Sequence, residues 1–132
     1  MDTHEIFNDS YTRCLRNNQF FFIFYRHFWQ QERRFKDLFQ DVDLERQVQM
    51  LKLSISMIIL ASSSEQARES IRRFGKAHGP DGIGVQPNDF EVWLDSLIET
   101  VQICDPKYND EIAFAWRECF KEGIAIMKQE CL

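Results

Sequence analysis

The sequence predicts an all-α chain, and three observations carry that prediction. Apolar residues recur three and four apart in every long stretch, proline and glycine gather between those stretches, and helix-starting residues stand where each begins. A strand is conceivable only for the run Phe20-Phe21-Phe22-Ile23-Phe24. There Tyr25, Phe28 and Trp29 continue the pattern at helical spacing with no turn between, so that run is helix as well.

The first helix runs from Thr3 to about Leu15, with Ile6, Phe7, Tyr11, Cys14 and Leu15 at helical spacing, and Asn17-Asn18 breaks it. The second, Phe20 to about Arg34, is so aromatic that burial on more than one face is expected. Phe35, Leu38 and Phe39 form a short helical piece, followed by a polar corner, Gln40-Asp41-Val42-Asp43, with capping aspartates. From Leu44 to about Ala61, one stripe holds Leu44, Val48, Leu51, Ile55 and Ile58, and Gln47 lies at its edge one turn before Leu51. Ser62 and Glu65 form a capping box that starts the helix ending at His78. A glycine-rich bend follows, and Pro87 suits the first position of a helix reaching about Ile103. Asp105-Pro106 is expected to cap the last helix, which holds Tyr108, Ile112, Phe114, Ala115, Trp116, Phe120, Ile124 and Met127. A chain of 132 residues with no linker or repeat reads as a single domain, 1–132.

Sixteen basic against twenty-one acidic side chains give a net charge of −5. With no basic stripe, neither nucleic acid nor an anionic membrane is an expected partner. The polar N-terminus and the lack of a long apolar run argue against a signal peptide or a membrane span. The four cysteines show no C-x-x-C or metal-ligand spacing, so free thiols in a reducing cytoplasm are expected. Twelve phenylalanines supply more flat apolar surface than a small helical core needs, and would suit the lining of a flat apolar ligand. His78 sits at a helix C-terminus with Phe74 and Ile71 one and two turns back. Taken alone it reads as a histidine stabilised by the helix dipole. Placed beside the rest of the chain, it could present a ring nitrogen to a group in the interior.

The order of these parts resembles a globin over nearly the whole chain. The carriers are Phe24-Tyr25-Arg26-His27-Phe28, Phe35-Lys36-Asp37-Leu38-Phe39, the run from Asp43 to Leu51, His78 followed by Val85-Gln86-Pro87 and Phe90, and Trp93-Leu94-Asp95 with Ala115-Trp116-Arg117 and Gly123-Ile124-Ala125. The chain is similar to bacterial single-domain globins, to the globin part of flavohaemoglobins and to sensor-type globins. The resemblance implies an all-α globin fold, a three-over-three helical sandwich around a pocket for haem b (iron protoporphyrin IX). Truncated globins carry Gly-Gly pairs that this chain lacks.

The resemblance lays the iron-ligand role on His78, whose other ring nitrogen would need an acceptor near Phe74 or Gly75. His4 and His27 make poor ligands. Phe39 matches the phenylalanine wedged against the haem, and Leu51, Phe74 and Phe90 would help to hold it. Tyr25, fourteen residues before Phe39, matches the distal tyrosine that donates to a bound gas. Without a ligand it would be a core tyrosine bonded to backbone, since a buried hydroxyl needs a partner. Gln47 matches the distal-helix glutamine, with Leu51 closing the pocket. Because the corner after Phe39 is short, Gln49 and Leu53 are the alternative pair.

Two departures bear on function. Flavohaemoglobins have a tyrosine where this chain has Phe90, and a late glutamate whose place lies past Leu132. Strong dioxygen activation is therefore not expected, and no flavin or nicotinamide segment is present to supply electrons. The leading expectation is a five-coordinate haem protein that reversibly binds dioxygen, nitric oxide or carbon monoxide for carriage, storage or sensing. The alternatives are a nitric oxide dioxygenase served by a separate reductase, a gas-sensing module that signals to a partner protein or dimerises, and a haem-free regulator.

Overall fold

The computed structural model of the chain describes residues 2–38, 43–61, 63–78 and 86–131, with the backbone alone for Ala77 and His78. Seven helices follow one another: α1 Thr3–Leu15, α2 Phe20–Gln31, α3 Arg33–Leu38, α4 Leu44–Leu60, α5 Glu65–His78, α6 Asp89–Cys104 and α7 Asp110–Glu130. Among the described residues there is no strand. None of these helices is long and apolar enough to cross a membrane.

The caps explain most boundaries. Asp2 accepts from the Glu5 amide at 2.9 Å and starts α1, and Asp43 accepts from the Glu45 amide at 3.0 Å and starts α4. Four boundaries depart from expectation. The second helix stops at Gln31 because Glu32 takes extended angles, φ −148° and ψ 139°, and the chain restarts as α3. The cap of α5 is Ser64, whose hydroxyl accepts from the Ala67 amide at 3.2 Å. Ser62 lies outside the described residues. Pro87 sits in a turn rather than at a helix start, and α6 begins at Asp89, whose carboxylate accepts from the Gln86 amide at 2.8 Å. Finally, α7 begins at Asp110 under Asn109, which accepts from the Ile112 amide at 2.9 Å. Asp105 is spent elsewhere and Tyr108 precedes the helix.

The chain forms two compact units, Met1–Gln40 with Val92–Cys119 and Asp41–Glu91 with Phe120–Leu132. Both α6 and α7 run from one into the other. The core of the first is aromatic. Trp116 is fully buried, with Phe7 edge-on at 4.6 Å, and Phe28 stacks on Phe35 at 4.4 Å. A polar cluster is set into this core: Trp116 Nε1 donates to Ser10 Oγ at 2.9 Å, and Ser10 donates to Asp105 at 2.6 Å. Arg13 donates to both oxygens of Asp105, at 2.7 and 3.0 Å.

The core of the second unit is mostly aliphatic, with Val48, Leu51, Ile55 and Ile58 of α4 buried alongside Ile71, Ile124 and Met127, and with Phe90 and Phe120. Here α4 meets α7 at Gly123, where a Cβ would lie 2.5 Å from Ile58 Cγ2. The glycine is what allows that approach.

Candidate functional site

In the first unit the candidate group is built on α2. Tyr25 is only 3% exposed and lies edge-on to Phe24, with ring centroids 5.1 Å apart. Trp29, one turn later, stacks on it at 5.4 Å with the planes 30° apart. Residues four apart share a helix face, so the phenol and the indole stand one above the other on a single stripe. Trp29 is half-buried, yet its Nε1 is fully buried and has no hydrogen-bond partner. A buried N–H left so costs about 1–3 kcal/mol. Among the described residues no acceptor reaches this donor. From the sequence, Trp29 is only a further aromatic residue of the second helix, one turn after Tyr25.

In the second unit, Gln47 and Leu51 lie one turn apart on α4. Gln47 is half-buried and Leu51 is 5% exposed, whereas Gln49 and Leu53 face outward, Leu53 at 46%. The inward stripe of α4 therefore carries the first pair. On α5, Phe74 is half-buried and Gly75 buried, and the helix ends at His78. The imidazole of His78, and Phe39 altogether, lie outside the described residues. Phe90 is buried in the first turn of α6.

The other two histidines have partners at the surface. His27 faces Glu99 at 3.6 Å, and His4 lies 3.8 Å from the Cys119 sulfur. All four cysteines are free and buried. Burial pushes the Cys14 thiol up to about 12 and Cys119 to about 11, far from thiolate chemistry at neutral pH. No group of three or more His, Cys, Asp or Glu among the described residues could chelate a metal ion.

No protein-family profile matches the sequence, and no curated protein matches it at a significant level. A solved structure does match. It is the crystal structure of a protein from Pseudomonas aeruginosa PAO1, described as structurally highly homologous to a human hemoglobin. The TM-score is 0.90 at 27% sequence identity, over 98% of each chain. The chain thus has an all-α globin fold.

Proposed function

We propose that this globin fold serves a haem b protein that reversibly binds dioxygen or another diatomic gas. The observation that carries the proposal is the full-length likeness to a haemoglobin-like structure, over 98% of the chain. The residues fit such a group on a point independent of that likeness. The indole N–H of Trp29, stacked on Tyr25 and buried without a partner among the described residues, supports the reading as a donor that a bound group could satisfy. The engagement of His4 and His27 at the surface leaves His78 for the iron.

In this reading His78 holds the haem iron, and Phe39, Leu51, Phe74 and Phe90 pack against the macrocycle. When bound, the group supplies an iron with one open position for a small gas. The work of the chain is to shape and polarise that position. Tyr25 donates a hydrogen bond toward the gas, and Gln47 supports it from α4. The phenylalanines and Leu51 exclude water. The buried Phe90 has no hydroxyl to strengthen the imidazole as a donor, which favours reversible binding over activation of dioxygen.

The first test is the visible spectrum of the purified protein. A Soret band near roughly 410 nm, present on isolation or after adding hemin, is expected for this class of site. A colourless protein that leaves added hemin unbound would end the proposal.

A further inference from the structure

Helix α4 is apolar on two faces. Val48, Leu51, Ile55 and Ile58 are buried in the core of the second unit, which accounts for one of them. The other carries Met50, Leu53 and Leu60, all exposed, with the half-buried Met57 between the last two. Of the six large apolar side chains exposed among the described residues, three lie on this one stripe. Steps of three, four and three residues separate its members, the spacing of a seam along which two helices pack. Ser54 and Ser56 border the seam with their hydroxyls already bonded. Ser54 donates to the Met50 carbonyl at 2.8 Å and Ser56 to the Lys52 carbonyl at 3.2 Å. Covering such serines leaves no hydroxyl proton without an acceptor. The stretch from Arg46 to Ser64 contains no acidic residue, in a chain with a net charge of −5.

We propose that the outer face of α4 is a self-association surface, against which a second copy of the chain lays its own α4 antiparallel about a two-fold axis. Such an axis brings one patch against itself, so the patch must complement itself. With the axis at Ile55, Leu53 meets the partner's Met57 and Met50 meets the partner's Leu60. The small serines face each other across the axis and let the helices come close. Charge favours a second copy as the occupant. Two chains of net charge −5 repel, and along this seam no carboxylate is set against another. At each end the exposed Arg46 falls opposite the partner's Ser64, next to a Glu65 side chain that is 64% exposed. Opposite charges therefore close the seam at both ends. A stripe of four residues on a helix roughly 25 Å long is smaller than the roughly 800 Å² per partner of a standard interface. The dimer is accordingly weak, with a Kd on the order of 10–100 µM.

The test is sedimentation equilibrium of the full chain as isolated, for wild type, Leu53→Glu, Met57→Lys and an equal mixture of the two variants. Wild type should pass from monomer to dimer between about 1 and 500 µM. Each substitution enters the two-fold interface twice, so the Kd of either variant alone should rise by roughly a hundredfold or more. In the mixture the new carboxylate of one chain faces the new ammonium of the other, and association should return. Both positions turn away from the core of the unit, so the circular dichroism of the variants should match wild type. If Met57→Lys lowers helicity, Met50→Glu mixed with Leu60→Lys makes the same comparison at two fully outward positions. A wild-type chain that is monomeric throughout overturns the inference, whatever else this face binds. A dimer that Leu53→Glu leaves intact also overturns it, because another surface then holds the copies together. Variants that stay monomeric when mixed overturn the antiparallel pairing.

Discussion

Tyr25 and Asp105 are both buried in the aromatic unit; the proposal gives Tyr25 a bound gas to donate to, whereas Asp105 is held by the chain. The Tyr25 hydroxyl, if it donates to a bound gas, makes a partly charge-assisted bond worth roughly 1.5–3 kcal/mol with dioxygen. Tyr25→Phe should then speed dioxygen dissociation on the order of ten- to hundredfold and carbon monoxide dissociation much less, as measured by ligand replacement. Trp29→Phe keeps most of the stacking area and removes the orphan N–H, so it separates a second donor from a packing residue. Asp105, by contrast, has a side chain with 0% exposure and draws all its partners from the chain. Burial pushes its carboxyl up, but bonds from Arg13, Ser10 and the Lys107 amide, with the Arg13 charge, outweigh this and hold it below the ordinary carboxylate range. A carboxyl lowered on folding stabilises the native state fully above its unfolded value, about 4, and that contribution is lost as the pH falls through the folded value. Asp105→Asn should therefore be less stable at neutral pH and show a shallower loss between about pH 5 and pH 2. Arg13→Ala should cost more, about 3 kcal/mol, because it leaves the buried carboxylate without its counter-charge. Urea unfolding followed by the fluorescence of Trp116, itself bonded to Ser10, measures both.

Helices α4 and α7 cross at a point that propensity alone would have filled with a side chain. Gly123→Ala adds a methyl that would stand 2.5 Å from Ile58 Cγ2 and 3.0 Å from Ile58 Cα. The cost should be about 1–3 kcal/mol, despite alanine being the better helix former. Ile58→Ala in the same chain should recover part of it by opening room, so the pair should be strongly non-additive in chemical denaturation. Glycine inside a helical pattern at 123 was the trace of this crossing, though the sequence cannot say which helix lies opposite. Element existence and type were legible because each helix has its own apolar period and needs no long-range information. Boundaries were less so. Asp105 resembles a cap by sequence, but Arg13 and Ser10, more than ninety residues away, claim its oxygens, and Asn109 caps α7 instead. Ser64 directly precedes Glu65, so its hydroxyl reaches the Ala67 amide three residues on and caps α5. Phe114 fits the helical period yet is 59% exposed, since period gives a face and not its burial. On the candidate site, the inward turn of Gln47 and Leu51 followed from their stripe with Val48 and Ile55. The unpartnered Trp29 nitrogen could not be read, because an absent partner leaves no pattern in a sequence.

The two units share α6 and α7 as continuous helices, so loss of one strains the other, and the chain should unfold as one cooperative body. All three tryptophans, Trp29, Trp93 and Trp116, belong to the first unit, whereas helical circular dichroism reports on both. In haem-free protein the fluorescence and dichroism melting curves should coincide, and two separate transitions would contradict a single domain over 1–132. Hemin adds a linkage that distinguishes the functional proposal from the fold. A ligand that binds only the native state stabilises it by about 2.7 kcal/mol at a free concentration one hundred times its Kd. For a chain of this length that should raise the midpoint by about 10 °C in both signals together. His78→Gly removes the side chain assigned to the iron, so the increment from hemin should largely vanish in this variant. Its haem-free stability also falls, by about 1 kcal/mol, since glycine near a helix end costs little. Free imidazole can occupy the vacated position and should restore part of the hemin-dependent increment without moving the haem-free curve. If hemin stabilises His78→Gly as fully as wild type, another residue holds the iron. His27, drawn toward Glu99 in this fold, would have to leave that partner to serve.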